Sequence, residues 1–235
     1  MRKRSWRQLI SNEISIMKVL NNNPYIIKLK EEFEDFESIY YVMELAPKTD
    51  LHTYTVTHEG GFLPEAVAAS IMRDLFEATD YIHKAAIVHR DLKPENIMVN
   101  FENDMELQSL KIIDFGFATY VQEIKKSKLC LGTLNYMAPE SFTGVYDHRV
   151  DIFALGVILF FILSGNLPFY SDDQDVVKRN TINCELNIES EDAFFSKSNE
   201  VKDLISKLIV KDPKDRITLE EALVHPWIIK YSPKK

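Results

Sequence analysis

His89-Arg90-Asp91-Leu92-Lys93-Pro94-Glu95-Asn96 is the stretch that decides the fold, and it lies between two strand-like runs, Ala86 to Val88 and Ile97 to Val99. Moving a phosphoryl group needs three things: an oriented hydroxyl, a cation near the transferring phosphate, and oxygen ligands for Mg²⁺. Asp91, Lys93 and Asn96 offer one residue for each within six positions. A further carboxylate follows in Asp114-Phe115-Gly116, directly after the strand-like run Leu110 to Ile113. Gly116 would permit a tight turn there. An isolated Asp-Phe-Gly is usually only a turn, and an isolated His-Arg-Asp is usually surface. Their order, the 22 residues between Asp91 and Asp114, and the strands on either side leave little room for coincidence.

Outward from this centre, the pattern predicts a small α+β piece followed by a larger, mostly helical one. Upstream, Ile10, Ile14 and Met17 recur at helical spacing, so Ser5 to Leu20 reads as a helix stopped by Asn21-Asn22-Asn23-Pro24. Two strands are expected at Tyr25 to Leu29 and Ser38 to Met43, joined by an acidic loop, with a hinge between lobes at Pro47 to Asp50. Pro64 should open a long helix with Ile71, Leu75, Ala78 and Ile82 on one face. Downstream, Val150 to Leu163, Val201 to Leu208 and Leu219 to Leu223 read as helices, the last with a Thr218/Glu221 capping box.

These motifs together resemble the protein kinase superfamily, whose signature set includes both His-Arg-Asp and Asp-Phe-Gly. The resemblance implies an α+β, protein-kinase-like bilobal fold with a truncated small N-lobe and a mostly helical C-lobe. It places a partial N-lobe at residues 1–45, the C-lobe at 46–229 and a short tail at 230–235. Ala138-Pro139-Glu140, ending 26 residues after Asp114, matches the close of the activation segment. Arg216 then falls where the family places the buried partner of Glu140. Asp151 matches the carboxylate that holds the catalytic-loop backbone, and Phe153 stands where many relatives carry Trp. Lys93 and Gly132-Thr133 resemble the serine/threonine rather than the tyrosine pattern.

The resemblance further implies ATP and Mg²⁺ as cofactors. Asp91, Lys93, Asn96 and Thr133 would be catalytic, with Asn96 and Asp114 on the metal. Tyr41 to Ala46 resembles the adenine-binding hinge: Met43 gates a back pocket, backbone groups of Glu44 and Ala46 meet the adenine edge, and Met98 packs on its face. Asp50 matches a ribose-contacting acid, and Asp50 with Glu95 would flank a substrate's upstream basic residue, giving Ser/Thr protein substrates with Arg three positions before the acceptor. Glu13 matches the partner of the ATP-binding lysine. Met17, Leu29, His89 and Phe115 would form an apolar spine, and Arg90 would face a regulatory position near Lys128, with Ser127 and Leu129 beside it.

Within the superfamily, Leu167-Pro168-Phe169, Asp212-Pro213 and Ala222-Leu223 through His225-Pro226-Trp227 resemble the calcium/calmodulin-dependent group and its calcium-dependent relatives. The chain itself shows no D-x-D-x-D-G calcium loop and no calmodulin-binding helix.

One expected part is missing from the sequence. Only twelve residues precede Glu13, and no G-x-G-x-x-G occurs anywhere. The expectation is therefore a fragment of a longer kinase, with an ATP site lacking its phosphate-covering loop and lysine. Losing one preorganised contact typically costs about 10²–10³ in rate. The rival expectation is a pseudokinase acting as an interaction module.

Bulk properties exclude other classes. A net charge of -8 over 235 residues argues against nucleic acid and anionic membrane as partners. Cys130 and Cys184 have no metal-ligand spacing and read as free buried thiols. The longest apolar run, Ile152 to Leu163, is twelve residues, too short to span a bilayer. Cytoplasm or nucleus is the expected location, since no apolar signal core follows the basic start Met1-Arg2-Lys3-Arg4.

Overall fold

The structure, a computed structural model, describes residues 6–103, 105–127, 131–186, 188 and 192–232. The small lobe consists of helix α1 (Trp6–Leu20) and a hairpin of β1 (Leu29–Glu34) with β2 (Ile39–Met43). The large lobe begins with β3 (Thr49–Asp50), α2 (Leu51–Thr57) and the long α3 (Glu65–Lys84). Short strands follow: β4 (Ile87–Val88), β5 (Ile97–Glu102), β6 (Glu106–Ile112) and β7 (Thr119–Tyr120). The rest is helical: α4 (Val121–Ser127), α5 (Arg149–Ser164), α6 (Gln174–Asn183), α7 (Asn199–Leu208), α8 (Leu219–Leu223) and α9 (Pro226–Tyr231). The result is the two-lobed α+β architecture expected, with α9 running two residues past the boundary placed at 229.

Helix α5 is the centre of the large lobe. Every residue from Val150 to Ser164 is buried, so its sequence is apolar all round, as a helix surrounded on all sides must be. Gly156 lets α7 approach: a Cβ there would stand 2.7 Å from Ile209 Cγ1 and 2.8 Å from Leu208 Cβ. Helix α3 buries Ile71, Leu75, Ala78 and Ile82 as its periodicity predicts. Its first residue, Glu65, also ties down two distant helices. It accepts from Ser198 N at 2.9 Å and from Trp227 Nε1 at 2.7 Å. The Thr218/Glu221 capping box forms at the start of α8.

The first strand is displaced from its expected place. Within the expected strand Tyr25 to Leu29, Ile26 makes a parallel bridge to Ile112, and only Leu29, where β1 starts, joins the hairpin. Side chains take over the backbone groups here: Tyr25 N–H donates to Asn23 Oδ1 at 2.8 Å, and Leu29 N–H to Asn21 Oδ1 at 2.8 Å. Such local bonds compete with ladder pairing. Ile26 and Ile27 are both buried, which an alternating strand with one wet face would not allow. The acidic stretch Lys30 to Glu34 is the actual strand, pairing antiparallel with β2 and exposed throughout.

The expected hinge also gains structure. Thr49 and Asp50 pair antiparallel with Val99 and Met98, making a three-stranded sheet in the order β3-β5-β6. Among the described residues, no helix is long and apolar enough to cross a membrane.

Candidate active site

The β5–β6 hairpin places the two chemical motifs side by side. Asn96 immediately precedes β5 and Asp114 lies two residues past β6. Their neighbourhood is fixed by Ile113 N–H donating to the Asn96 carbonyl at 2.9 Å. The buried His89 ring senses Asp91 and Asp114 together, along with Asp151. Asp91, Asn96 and Asp114 therefore surround one place in the fold.

Asp91 is buried and held on both carboxylate oxygens. Its Oδ1 accepts from Thr133 N–H at 2.8 Å and from the Thr133 hydroxyl at 2.7 Å. Its Oδ2 faces Lys93 Nζ at 3.0 Å and accepts from Asn96 Nδ2 at 3.2 Å. Lys93 closes the triangle by donating to Thr133 Oγ1 at 2.9 Å. Burial raises the Asp91 pKa, but the Thr133 hydroxyl and the Lys93 ammonium outweigh it and hold the group below the usual carboxylate range. Asp91 is thus an ionised, oriented acceptor at neutral pH.

Gly132 makes this contact possible. Its φ is +123°, and a Cβ would lie 2.7 Å from the Arg90 carbonyl oxygen. Only glycine fits such an approach without displacing Thr133 from Asp91.

Asp151, at the start of α5, holds the catalytic-loop backbone as expected. It is 1% exposed and accepts from His89 N–H and Arg90 N–H, both at 2.9 Å, while facing His83 Nε2 at 2.9 Å. Burial raises its pKa, but the bond from His83 and the other donors drive the net shift downward. These bonds keep Arg90 in a left-handed backbone conformation, φ +70°. Asp114 is left-handed too, at φ +62°. Sparsely populated backbone at two adjoining loops is the kind of strain that collects at functional sites. The Arg90 side chain donates to the Phe117 carbonyl at 2.7 Å and to the Tyr146 hydroxyl at 3.4 Å. Lys128, Leu129 and Cys130 lie outside the described residues, as does the Ser127 side chain.

Glu140 and Arg216 form a two-point ion pair, Nη1 to Oε1 at 2.5 Å and Nη2 to Oε2 at 2.7 Å. The Arg216 guanidinium also lies over the Phe153 ring at 5.1 Å.

Glu13 on α1 reaches the same centre from the small lobe. Burial raises its pKa, the Asp114 charge raises it further, and a hydrogen bond from Phe115 N–H opposes both. Tyr41 on β2 shares this corner, its pKa raised first by burial and then by Glu13 and Asp114. Among the described residues, no cation pairs with Glu13. Met17, Leu29 and Phe115 are buried in one apolar core, and the His89 ring stands 5.0 Å from Phe115.

Some expected contributors carry additional structural duties. Asp50 caps α2, with Oδ1 accepting from Thr53 N–H and Oδ2 from the Thr53 hydroxyl, both at 2.8 Å. The helix it caps was not read from the sequence, though Asp50 followed by Thr53 was its signal. Met98 pairs with Asp50 across the sheet and lies on the opposite face of β5 from buried Ile97 and Val99. Met43 is exposed, Ala46 half-buried, and Glu44 pairs with Lys111 at 2.6 Å. Lys111, which ties the hinge to β6, carries no motif that would reveal it. Glu95 is exposed and close enough to Tyr136 to raise the phenol's pKa after burial has done so.

The donor set suits a hard cation. Asn96 spends its Nδ2 on the Asp91 carbonyl at 2.9 Å and on Asp91 Oδ2, so its Oδ1 is the atom left to accept. Asp114 spends only Oδ1, on Gly116 N–H at 3.0 Å. Two oxygen ligands fit Mg²⁺, which takes one or two protein groups plus substrate phosphates. Among the described residues, no group of three or more His, Cys, Asp or Glu could hold a metal by itself.

Comparison with known proteins agrees with this geometry. The protein kinase domain family matches residues 1–228. Calcium-dependent protein kinase 21 of Arabidopsis thaliana is 36% identical over 219 residues, covering 93% of this chain and 40% of that protein. Calcium-dependent protein kinase 3 of Plasmodium yoelii yoelii is 38% identical over the same shares of the two chains. Calcium-dependent protein kinase 14 of Arabidopsis thaliana is 35% identical, again over 93% and 40%. The chain spans about two fifths of the length of these curated relatives. The resemblance to the calcium-dependent kinases seen in the helical lobe is thus borne out. Both the match across residues 1–228 and the carboxylate arrangement beneath it lead to one assignment: this chain belongs to the protein kinase domain family.

Proposed function

We propose that the chain is the catalytic part of a serine/threonine protein kinase, transferring the ATP γ-phosphoryl group to a protein hydroxyl in a Mg²⁺-dependent reaction. The observation that carries this reading is the Asp91–Lys93–Thr133–Asn96 network beside Asp114. Asp91 accepts the hydrogen of the attacking hydroxyl and aims its oxygen. Lys93 lies beside Asp91 with its ammonium partly exposed, where it meets negative charge on the transferring group. Thr133 joins the activation segment to Asp91 and fixes the carboxylate before substrate arrives. Asn96 Oδ1 and Asp114 would hold the Mg²⁺, which when bound neutralises charge on the nucleotide phosphates. Asp50 and Glu95 give the substrate groove the acid needed for an upstream arginine.

A nucleotide-binding module without transfer is the second reading. It is favoured by Glu13, a desolvated carboxylate with no cationic partner among the described residues.

The test is phosphate transfer from Mg-ATP to paired peptides. Serine or threonine peptides with Arg at the third position upstream should be labelled about tenfold or more faster than tyrosine peptides of the same sequence. Replacing that Arg by Ala should slow labelling. Stoichiometric Mg-ATP binding with no label in any peptide would favour the second reading.

A further inference from the structure

The turn that follows Asp114 is held from both lobes. Its closing bond runs from Ala118 N–H to the Phe115 carbonyl at 3.0 Å, and Gly116 N–H donates to Asp114 Oδ1 at 3.0 Å. From the large lobe, Arg90 Nε donates to the Phe117 carbonyl at 2.7 Å. From the small lobe, Asn12 Nδ2 on α1 donates to the next carbonyl, that of Ala118, at 3.0 Å. One residue further on, Thr119 enters β7 and pairs with Val88. Asn12 thus binds the last residue between Asp114 and a strand of the large lobe.

We propose that Asn12 is a positioning residue: its amide docks α1 onto the turn after Asp114 and keeps that carboxylate where it can take Mg²⁺. This rests on the Mg²⁺-binding role given to Asp114 above.

The loop needs support of this kind. Asp114 has φ +62°, a left-handed backbone that a residue with a side chain keeps only where its neighbours over-determine it. Successive residues of a helix diverge by about 100°. Asn12 and Glu13 therefore reach different ends of the same turn, Asn12 the Ala118 carbonyl and Glu13 the Phe115 N–H.

Charge does not supply the docking. A Cβ on Gly116 would stand 3.1 Å from Asp114 Oδ1 and 3.8 Å from Glu13 Oε2, so the two carboxylates adjoin the same backbone atom. They repel each other, and among the described residues no cation pairs with Glu13. A neutral N–H donor opposes that repulsion without a counter-ion. Asn12 is half-buried and Ala118 is 1% exposed, so water would replace the lost bond poorly.

Native-state hydrogen exchange on the nucleotide-free chain reads the docking directly. In Asn12→Ala, protection of the Gly116 and Ala118 amides should fall about tenfold, while amides inside α5 keep theirs. Alanine is the better helix former, so α1 and the melting temperature should be little changed. Asn12→Asp has the same shape but no donor, and should lose at least as much. Asn12→Gln keeps the donor and should recover most of the protection. Mg²⁺ gives the second readout. The concentration that half-saturates ATP binding should rise about tenfold in Asn12→Ala, with KM for peptide unchanged, and the substitution should add nothing in an Asp114→Asn background. Unchanged exchange at Gly116 and Ala118 in both Asn12→Ala and Asn12→Asp would overturn the proposal. Lowered protection with an unaltered Mg²⁺ requirement would overturn it too. A wild-type chain that binds no ATP at any Mg²⁺ concentration would instead remove the metal role of Asp114, and the proposal with it.

Discussion

Replacing Glu140 by alanine is expected to destabilise the protein by about 3–5 kcal/mol, the usual consequence of leaving one member of a buried pair alone. The Arg216 side chain has no solvent exposure, so water cannot replace the lost carboxylate. Its remaining bonds go to neutral carbonyls of Val210 at 2.8 Å, Arg149 at 2.9 Å and Lys211 at 3.4 Å. Those carbonyls belong to the start of α5 and the loop after α7, so the loss would loosen the support beneath the activation segment. Urea unfolding should show the midpoint lowered by about 1–2 M with an unchanged slope. Glu140→Gln keeps the geometry and should lose less. A shift under about 0.3 M for Glu140→Ala would mean the pair contributes little.

Asp91→Asn carries the largest kinetic effect. The amide can still accept from Thr133, so the loop should keep its shape. It cannot take a proton, and it no longer attracts Lys93. Loss of a positioned general base typically costs about 10²–10⁴ in rate. The prediction is a fall in kcat of about 10³, near 4 kcal/mol, with KM for ATP little changed. Steady-state labelling of a serine peptide measures it, alongside a melting curve close to the wild type. Retention of more than a tenth of the rate would remove Asp91 from the reaction.

The parts of the fold legible in sequence were those with a single dominant signal. Helix α5 announces itself by the apolar run Ile152 to Leu163, interrupted by Gly156, and α3 by the stripe Ile71, Leu75, Ala78 and Ile82. Strand β1 was hidden because its exposed charges, Lys30 to Glu34, look like loop; only pairing with β2 makes them a strand. Tyr25 to Leu29 looked like a strand because buried apolar residues were present, yet the Asn21 and Asn23 side chains had claimed the backbone.

The chemical residues were legible for a different reason. Asp91, Lys93 and Asn96 lie within six positions, so local order alone brings them together. Thr133 came with the family resemblance. A pair made by distant elements, such as Glu44 with Lys111, has no sequence signature, because chain folding alone brings it together. The second duty of Asp50 as a helix cap escaped for want of reading Thr53 beside it.

Calorimetric titration with ATP tests most directly whether Asp91, Asn96 and Asp114 converge on a metal–nucleotide pair. Binding should require Mg²⁺, disappear when EDTA is added, and weaken about tenfold or more in Asp114→Asn. Absence of ATP binding by the folded chain, or an affinity indifferent both to Mg²⁺ and to Asp114→Asn, would contradict it.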